Sequence, residues 1–383
     1  MNHDLKVTEQ FYSGTTLTNW LRLLRENRFA IDPRYIPRAL FVTFAALVSL
    51  PFRLYEQARF GRRIAETRLE KAPLFILGHW RSGTTYLHVL LTQDPRFAYA
   101  SNLQVILPEI FLGSARVFEG AVRRFMPQKR WMDNFLLAPE LPSEDEFAIA
   151  NLCPYSMYHS LAFPLKRYEY LRYCTMDGMA EEEKRAWQEV VRRYMKKLTL
   201  HAQGRQLVLK NPSHTARIAP LLELYPEAQF VHICRNPYEV FCSTLRMYER
   251  MFPAFFLQQP RREEAESYIL DAYCGIYEHY FAQRRLIPAG RLVEVRYEDL
   301  LRAPLQVARS IYDGLGLPGF ADVEPKLAAY VAAQREFRVN ENTLPEALRQ
   351  QVAARWGFAF DAWGYQREEA ALELAPEYQL VGR

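Results

Sequence analysis

Residues 73–91 read PLFILGHWRSGTTYLHVLL. Pro73 to Leu77 is a short, continuous apolar run ending in Gly78, the pattern of a strand buried on both faces. Leu87, Leu90 and Leu91 then recur on one helical face, and that pattern stops near Asp94-Pro95. Between strand and helix lies Gly78-His-Trp-Arg-Ser-Gly-Thr-Thr85, with two glycines, the hydroxyls of Ser82, Thr84 and Thr85, and the cation of Arg81. A loop in this position turns backbone N–H groups and a helix N-terminus toward an anion. The nucleotide-hydrolysing version requires G-x-x-x-x-G-K-[ST]. Here the glycine spacing is kept, but Thr84 stands where the Lys belongs and the cation has moved to Arg81 inside the loop. Without that Lys the usual grip on β- and γ-phosphates is missing, which argues against ATP or GTP hydrolysis. A tight turn with no ligand is the plainer reading, and two glycines together with three hydroxyls weigh against it.

Outward from this stretch the α/β pattern continues. Gln206 to Leu209, Gln229 to Cys234 and Arg291 to Val295 are further buried-strand candidates, each followed by a helical segment. Alternating strands and helices predict an α/β, P-loop-like three-layer fold with a central parallel sheet covered by helices. Residues 97–200 are aromatic-rich and less regular, and read as a mostly helical insertion that shapes a pocket. Residues 1–71 read as an N-terminal helical extension, with the main domain over 72–383. The composition of the 383 residues, 49% hydrophobic and 24% charged, excludes a disordered tail, a fibre or a coiled coil. A net charge of +5 is too small to argue for nucleic acid. Five cysteines without C-x-x-C spacing read as buried thiols of a reducing, cytoplasmic compartment, and structural zinc is not expected.

The N-terminus lacks a basic start leading into an apolar stretch, so no signal peptide is expected. Residues 39–52, ALFVTFAALVSLPF, carry no charge, and Arg53, Arg59, Arg62 and Arg63 follow. The segment is too short to span a bilayer as a helix. A buried core helix explains it. A helix lying in the inner face of a membrane, its basic flank on headgroups, is the sharper alternative.

Two junctions repeat one design. Lys210-Asn211-Pro212 and Arg235-Asn236-Pro237 each follow a strand, with Asn suited to cap a helix and Pro to its first position. A cation thus sits at the carboxyl end of each strand, the edge where open α/β sheets bind ligands. Arg81, Lys210 and Arg235 on one rim are better explained by a polyanion than by three solvated side chains.

GHWRSGTT, LKNPSH, RNPYEVFCS and RYEDL occur in the order found in sulfotransferases that use 3′-phosphoadenylyl sulfate (PAPS). The chain resembles that family over residues 73–317, in particular its bacterial members and the tyrosylprotein-type branch. The resemblance implies transfer of a sulfuryl group from PAPS to a hydroxyl or amine of a small-molecule acceptor, with no metal. It implies that Arg81, Ser82, Gly83, Thr84 and Thr85 hold the 5′-phosphosulfate end, and that Arg235 and Ser243 hold the 3′-phosphate. Tyr297 lies beside the adenine by the same likeness, and Lys210 steadies the sulfuryl group in flight. Charge grows on the bridging oxygen as it departs, so a preorganised cation such as Arg81 acts in the transition state. Arg338 lies where the family often adds a basic contact, and a solvated helix end explains it as well.

A general base must take the acceptor proton. Pro212 occupies the slot of the His that serves many cytosolic relatives, and Ser101-Asn102-Leu103 lacks the Glu of the tyrosylprotein branch. Glu144 and His214 remain as candidates. Ser143 with Glu146 three residues on reads as a capping box, which explains Glu146 and leaves Glu144 free. Two other readings stay open: a P-loop small-molecule kinase, disfavoured by the missing Lys, and a non-catalytic nucleotide-binding or membrane-docking protein.

Overall fold

The structure, a computed structural model, describes residues 7–128, 136–260, 265–333 and 344–367. Its sheet comprises β1 (Leu74–Leu77), β2 (Phe97–Ala98), β3 (Gln206–Lys210), β4 (Gln229–Cys234) and β5 (Leu292–Arg296). The order is β2-β3-β1-β4-β5 and every pairing is parallel. In register, Ile76 of β1 lies opposite Lys210 of β3 on one side and Val231 of β4 on the other. Four strands fall where the apolar runs predict them. β2 was read as the start of the insertion; two residues are too few to show a period.

Alternation along each strand divides the core into two layers. Phe75, Leu77, Leu207, Leu209 and Phe230 face one side, and Leu74, Ile76, Val208, Val231 and Ile233 face the other. The second face is covered by α3 (Thr84–Leu91) and by helices Pro304–Leu315 and Phe320–Ala333. The first face carries the insertion and the N-terminal segment in a single cluster, where Tyr12, Trp20 and Leu23 pack together with Phe75. Residues 7–71 therefore share the core of the sheet. The insertion is mostly helical, with α4 (Asn102–Ile106), α5 (Ala115–Phe125) and α6 (Asp145–Leu152) ahead of the long helix Glu181–His201.

The N-terminal helices are α1 (Leu17–Glu26) and α2 (Ile36–Glu66), a helix of 31 residues that contains the uncharged segment. The expectation of a buried core helix is only half met. Val42, Ala46 and Ile64 are buried, while Leu40, Phe44, Leu47, Leu50 and Leu54 face outward. By length and composition α2 could cross a membrane. Its inner face is fastened to the body, however. Glu56 forms a buried ion pair with Lys197 at 2.5 Å and accepts a hydrogen bond from the Gly113 N–H, and Arg38 donates to the carbonyls of Pro253 and Phe256.

The capping box expected at Ser143 is not what Glu146 does. The helix begins at Asp145 with Glu144 at the N-cap, and the Glu146 carboxylate turns into the core. There it pairs with Arg217 at 2.7 Å and accepts hydrogen bonds of 2.6 Å from both Asn211 and Ser156. Local spacing could not show this, because Arg217 arrives from 71 residues away. Burial alone would raise the Glu146 pKa, but the charge of Arg217 and these hydrogen bonds outweigh it and hold the carboxyl below its usual range. A depressed folded-state pKa contributes stability above the unfolded-state value, and that stability is lost as pH falls through the folded value. Glu146→Gln leaves Arg217 buried without its counter-charge and should lose about 3–5 kcal/mol of stability in urea unfolding at neutral pH. The gap to the wild type should narrow on acidification; equal midpoints at neutral pH would remove the pair from its structural role.

Candidate active site

β3, β1 and β4 are adjacent, so their carboxyl ends deliver Lys210, the loop 78–83 and Arg235 side by side. The loop is pinned by a hydrogen bond from the Gly78 N–H to Thr215 Oγ1 at 2.8 Å. It turns through three left-handed residues, Gly78 at φ 142°, Arg81 at φ 71° and Gly83 at φ 92°. Arg81 is not glycine, and its backbone strain is of the kind concentrated at binding sites. The first N–H groups of α3 have no acceptor within the helix and open onto the loop. Gly83 is required on two counts. Besides its φ, a Cβ there would lie 2.2 Å from Tyr297 Cδ2, so the tyrosine ring rests on the loop backbone.

On the β4 side, Arg81 Nε donates to Ser243 Oγ at 2.8 Å and Arg235 donates to the Arg81 carbonyl at 3.0 Å. The Arg235 guanidinium stacks 4.5 Å from the Tyr297 ring centroid and pairs with Glu239 at 3.0 Å. Asn236 caps the helix Pro237–Arg250 through the Tyr238 N–H, as its motif predicts. Glu298, of the RYEDL motif, accepts from the Asn236 N–H at 3.0 Å and so locks β4 to the segment bearing Tyr297. Arg81, Arg235, Ser243 and Tyr297 thus form one cluster. Within it, the Arg81 side chain is held on Ser243.

On the β3 side, Lys210 Nζ contacts Glu144 Oε1 at 2.5 Å and Thr85 Oγ1 at 3.4 Å. Asn211 caps the following turn through the Ser213 N–H, although that turn is a 3-10 helix rather than the α-helix expected. The second Glu144 oxygen accepts a hydrogen bond from the Tyr158 hydroxyl, which in turn accepts from Trp80 Nε1 at 3.0 Å. Burial, and then the neighbouring Glu144 charge, hold the Tyr158 phenol well above its ordinary pKa, so it stays a donor. Trp80 and Tyr158 were not singled out in the sequence; nothing local marks a tyrosine 78 residues from the loop it serves. His79 was also passed over. Its Nδ1 faces the Trp80 carbonyl at 2.9 Å, and burial lowers its pKa to about 4, so the imidazole is neutral.

The two base candidates separate. Glu144 lines a cavity of about 510 Å³ together with Lys210, Thr85, Tyr158, Trp80 and His79. His214 lies outside that lining, fully buried, with Nε2 2.8 Å from Asp145 and its ring edge-on to Phe75. The cavity thus reaches Glu144, while His214 faces Asp145. Arg338 lies outside the described residues. Among the described residues no group of His, Cys, Asp and Glu is placed to hold a metal ion.

The model of the sulfotransferase family matches residues 73–322, which include every residue of both clusters. The chain belongs to the sulfotransferase family. It is 34% identical over 354 residues to the omega-hydroxy-beta-dihydromenaquinone-9 sulfotransferase of Mycobacterium bovis, covering 92% of this chain and 91% of that one. The same identity and coverage hold for the protein of that name from Mycobacterium tuberculosis. In fold, this sulfotransferase superposes on a crystal structure of a Mycobacterium tuberculosis sulfotransferase with TM-score 0.67 at 16% identity, over 90% of this chain and 94% of the other. A Mycobacterium avium sulfotransferase gives TM-score 0.67 at 18% identity, over 93% and 98%. The kinase and the non-catalytic readings both give way to a sulfotransferase.

Gly83→Ala should destabilise the protein on two grounds, the left-handed backbone at roughly 1–2 kcal/mol and the displaced Tyr297 ring. Gly178 has φ 63° and open space around its Cβ position, so Gly178→Ala carries only the backbone cost. Thermal unfolding should show the larger loss for Gly83→Ala; equal losses would mean that Tyr297 does not rest on the loop.

Proposed function

We propose that this sulfotransferase takes its sulfuryl group from PAPS and delivers it to the terminal hydroxyl of a long, amphiphilic alcohol. The carrying observation is the polarity of the cavity. Its inner end is the Lys210–Glu144–Tyr158 set, and its remaining wall is predominantly apolar, supplied by Phe41, Phe44 and Val48 of α2 and Phe118, Val122 and Phe125 of α5. An apolar chain would fill that wall while its polar terminus met Lys210 and Glu144. The relative that is 34% identical bears the name of an enzyme acting on a menaquinone with an omega-hydroxyl, an acceptor of the same kind.

The residues suit the donor. The loop 78–83 and the start of α3 present backbone N–H groups, Ser82, Thr84 and Thr85 to a phosphosulfate. Arg235, Ser243 and Arg81 form a second anion site fitted to a 3′-phosphate, and the Tyr297 ring beside Gly83 offers a face to an adenine. PAPS would supply an electrophilic sulfuryl group and, in PAP, a phosphate leaving group. Lys210 stabilises charge at the point of transfer. Glu144 takes the proton of the acceptor hydroxyl as the new O–S bond forms and the bond to the phosphate breaks. Tyr158, held by Trp80 of the donor loop, fixes the carboxylate so that its other oxygen faces the acceptor once Lys210 turns to the sulfuryl group.

Turnover of labelled PAPS against long-chain alcohols tests the whole reading; failure of every amphiphilic acceptor would overturn the acceptor class. By calorimetry PAP should bind more tightly than ATP, and Arg235→Ala should weaken PAP by about 1.5–3 kcal/mol, the scale of a lost hydrogen bond to a charged group. Equal affinity for PAP and ATP would refute the 3′-phosphate site. Glu144→Gln should lower kcat by roughly 10²–10⁴-fold, the range of a general base, while PAP affinity stays close to wild type. Full activity would take the base role away from Glu144.

A further inference from the structure

The outward face of α2 is a continuous apolar stripe. Leu40, Phe44, Leu47, Pro51 and Leu54 follow the spacing i, i+4, i+7, i+11, i+14, and all five are exposed, with Leu40 64%, Phe44 65% and Leu54 65% accessible. At 1.5 Å per residue the stripe runs for about 21 Å. A helix of a soluble protein ordinarily turns such a stripe inward, and α2 already has another face in the core. Beside it lies α5, which has no buried residue; its Val117 and Phe125 are 66% and 49% accessible.

The stripe is continuous with the cavity. Phe44 and Val48 of α2 and Phe125 of α5 line the cavity and are at the same time exposed, so its mouth opens on this apolar face. Exposed cations flank it: Arg59, Arg62 and Arg63 on α2, and Arg116, Arg123 and Arg124 on α5. The acids paired with these arginines are Glu66 on Arg62, and Glu119 and Glu140 on Arg123, three carboxylates against six cations, so the surroundings keep a positive excess. An apolar face ringed by arginines is complementary to anionic headgroups over hydrocarbon.

We propose that α2 and α5 seat the sulfotransferase on the surface of an anionic phospholipid bilayer, with the cavity mouth facing the acyl region. The helix lies in the interface and does not cross it, because Glu56–Lys197 and Arg38 fasten its inner face to the globule. An amphiphilic acceptor then passes from lipid to Lys210 and Glu144 along apolar wall. That last step rests on the acceptor proposed above; the docking itself does not.

The test is co-sedimentation of the full chain with vesicles of phosphatidylcholine alone or mixed with phosphatidylglycerol, without PAPS or acceptor. The wild type should pellet with the anionic vesicles and be released in part by high salt. Leu40, Leu47 and Leu54 lie outside the cavity lining, so the triple variant Leu40→Ser, Leu47→Ser, Leu54→Ser should weaken vesicle partitioning at least about tenfold while binding PAP and turning over a water-soluble alcohol as the wild type does. Retained PAP binding certifies that the variant is folded. Arg59→Gln, Arg62→Gln, Arg63→Gln should remove salt-sensitive binding. A wild type that stays in the supernatant, or a leucine variant that pellets equally, overturns the docking. So does sedimentation velocity showing a wild-type dimer that the leucine variant abolishes, since the stripe would then meet a second copy. Vesicle binding without sulfuryl transfer would refute the acceptor reading alone.

Discussion

The buried pair of Glu146 and Arg217 joins the insertion to the sheet beside the site. Glu146 belongs to α6 of the insertion, and Arg217 follows the turn that leaves β3, so the pair ties the insertion to the sheet edge that carries Lys210. Asn211 completes the joint, capping the turn with its oxygen and donating its amide to Glu146. Two residues before Glu146 the chain leaves the helix, and that offset brings Glu144 against Lys210 at 2.5 Å. A buried ion pair gives modest net stability against an apolar substitute, but it tolerates only one alignment. Here the alignment fixes the Glu144 carboxylate against the Lys210 ammonium.

The site is divided along the sheet. Toward β4, Arg235, Arg81, Ser243 and Tyr297 form a cluster around the loop, cross-braced by Glu298 on the Asn236 N–H. Toward β3, Lys210, Glu144 and Tyr158 stand at the inner end of an apolar cavity. The loop lies between the two and contributes to both, through the Arg81 side chain on one flank and Trp80 and Thr85 on the other. The two clusters thus stand on β3 and β4, the strands that flank β1 and its loop.

Much of this was legible because it is local. The loop 78–85, the Asn-Pro caps and the apolar strands are short-range patterns, and four of the five strands fall on them. Where local spacing falls short, the cause is a contact from far along the chain. Ser143 and Glu146 match a capping box by spacing, yet Arg217 supplies a stronger partner from far along the chain. His214 sits close in sequence to Lys210, but the 3-10 turn after Asn211 sends its ring into the core, onto Asp145. Residues 39–52 are apolar enough for a core helix, and composition cannot say how much of a helix surface the core has room to cover.

The sequence by itself determined the elements and the groups they carry: parallel strands from continuous apolar runs, a strand-to-helix loop from its glycines and hydroxyls, and cations at strand ends. Local sterics and hydrogen bonding specify these, so a few neighbouring residues carry the information. The tertiary structure alone decided the order β3-β1-β4, and with it the placing of Lys210 and Arg235 on opposite flanks of the loop. It also decided which of two candidate bases lines the cavity and that a 31-residue helix turns an apolar stripe outward. Those outcomes depend on contacts between residues tens to hundreds of positions apart, and no local period records them.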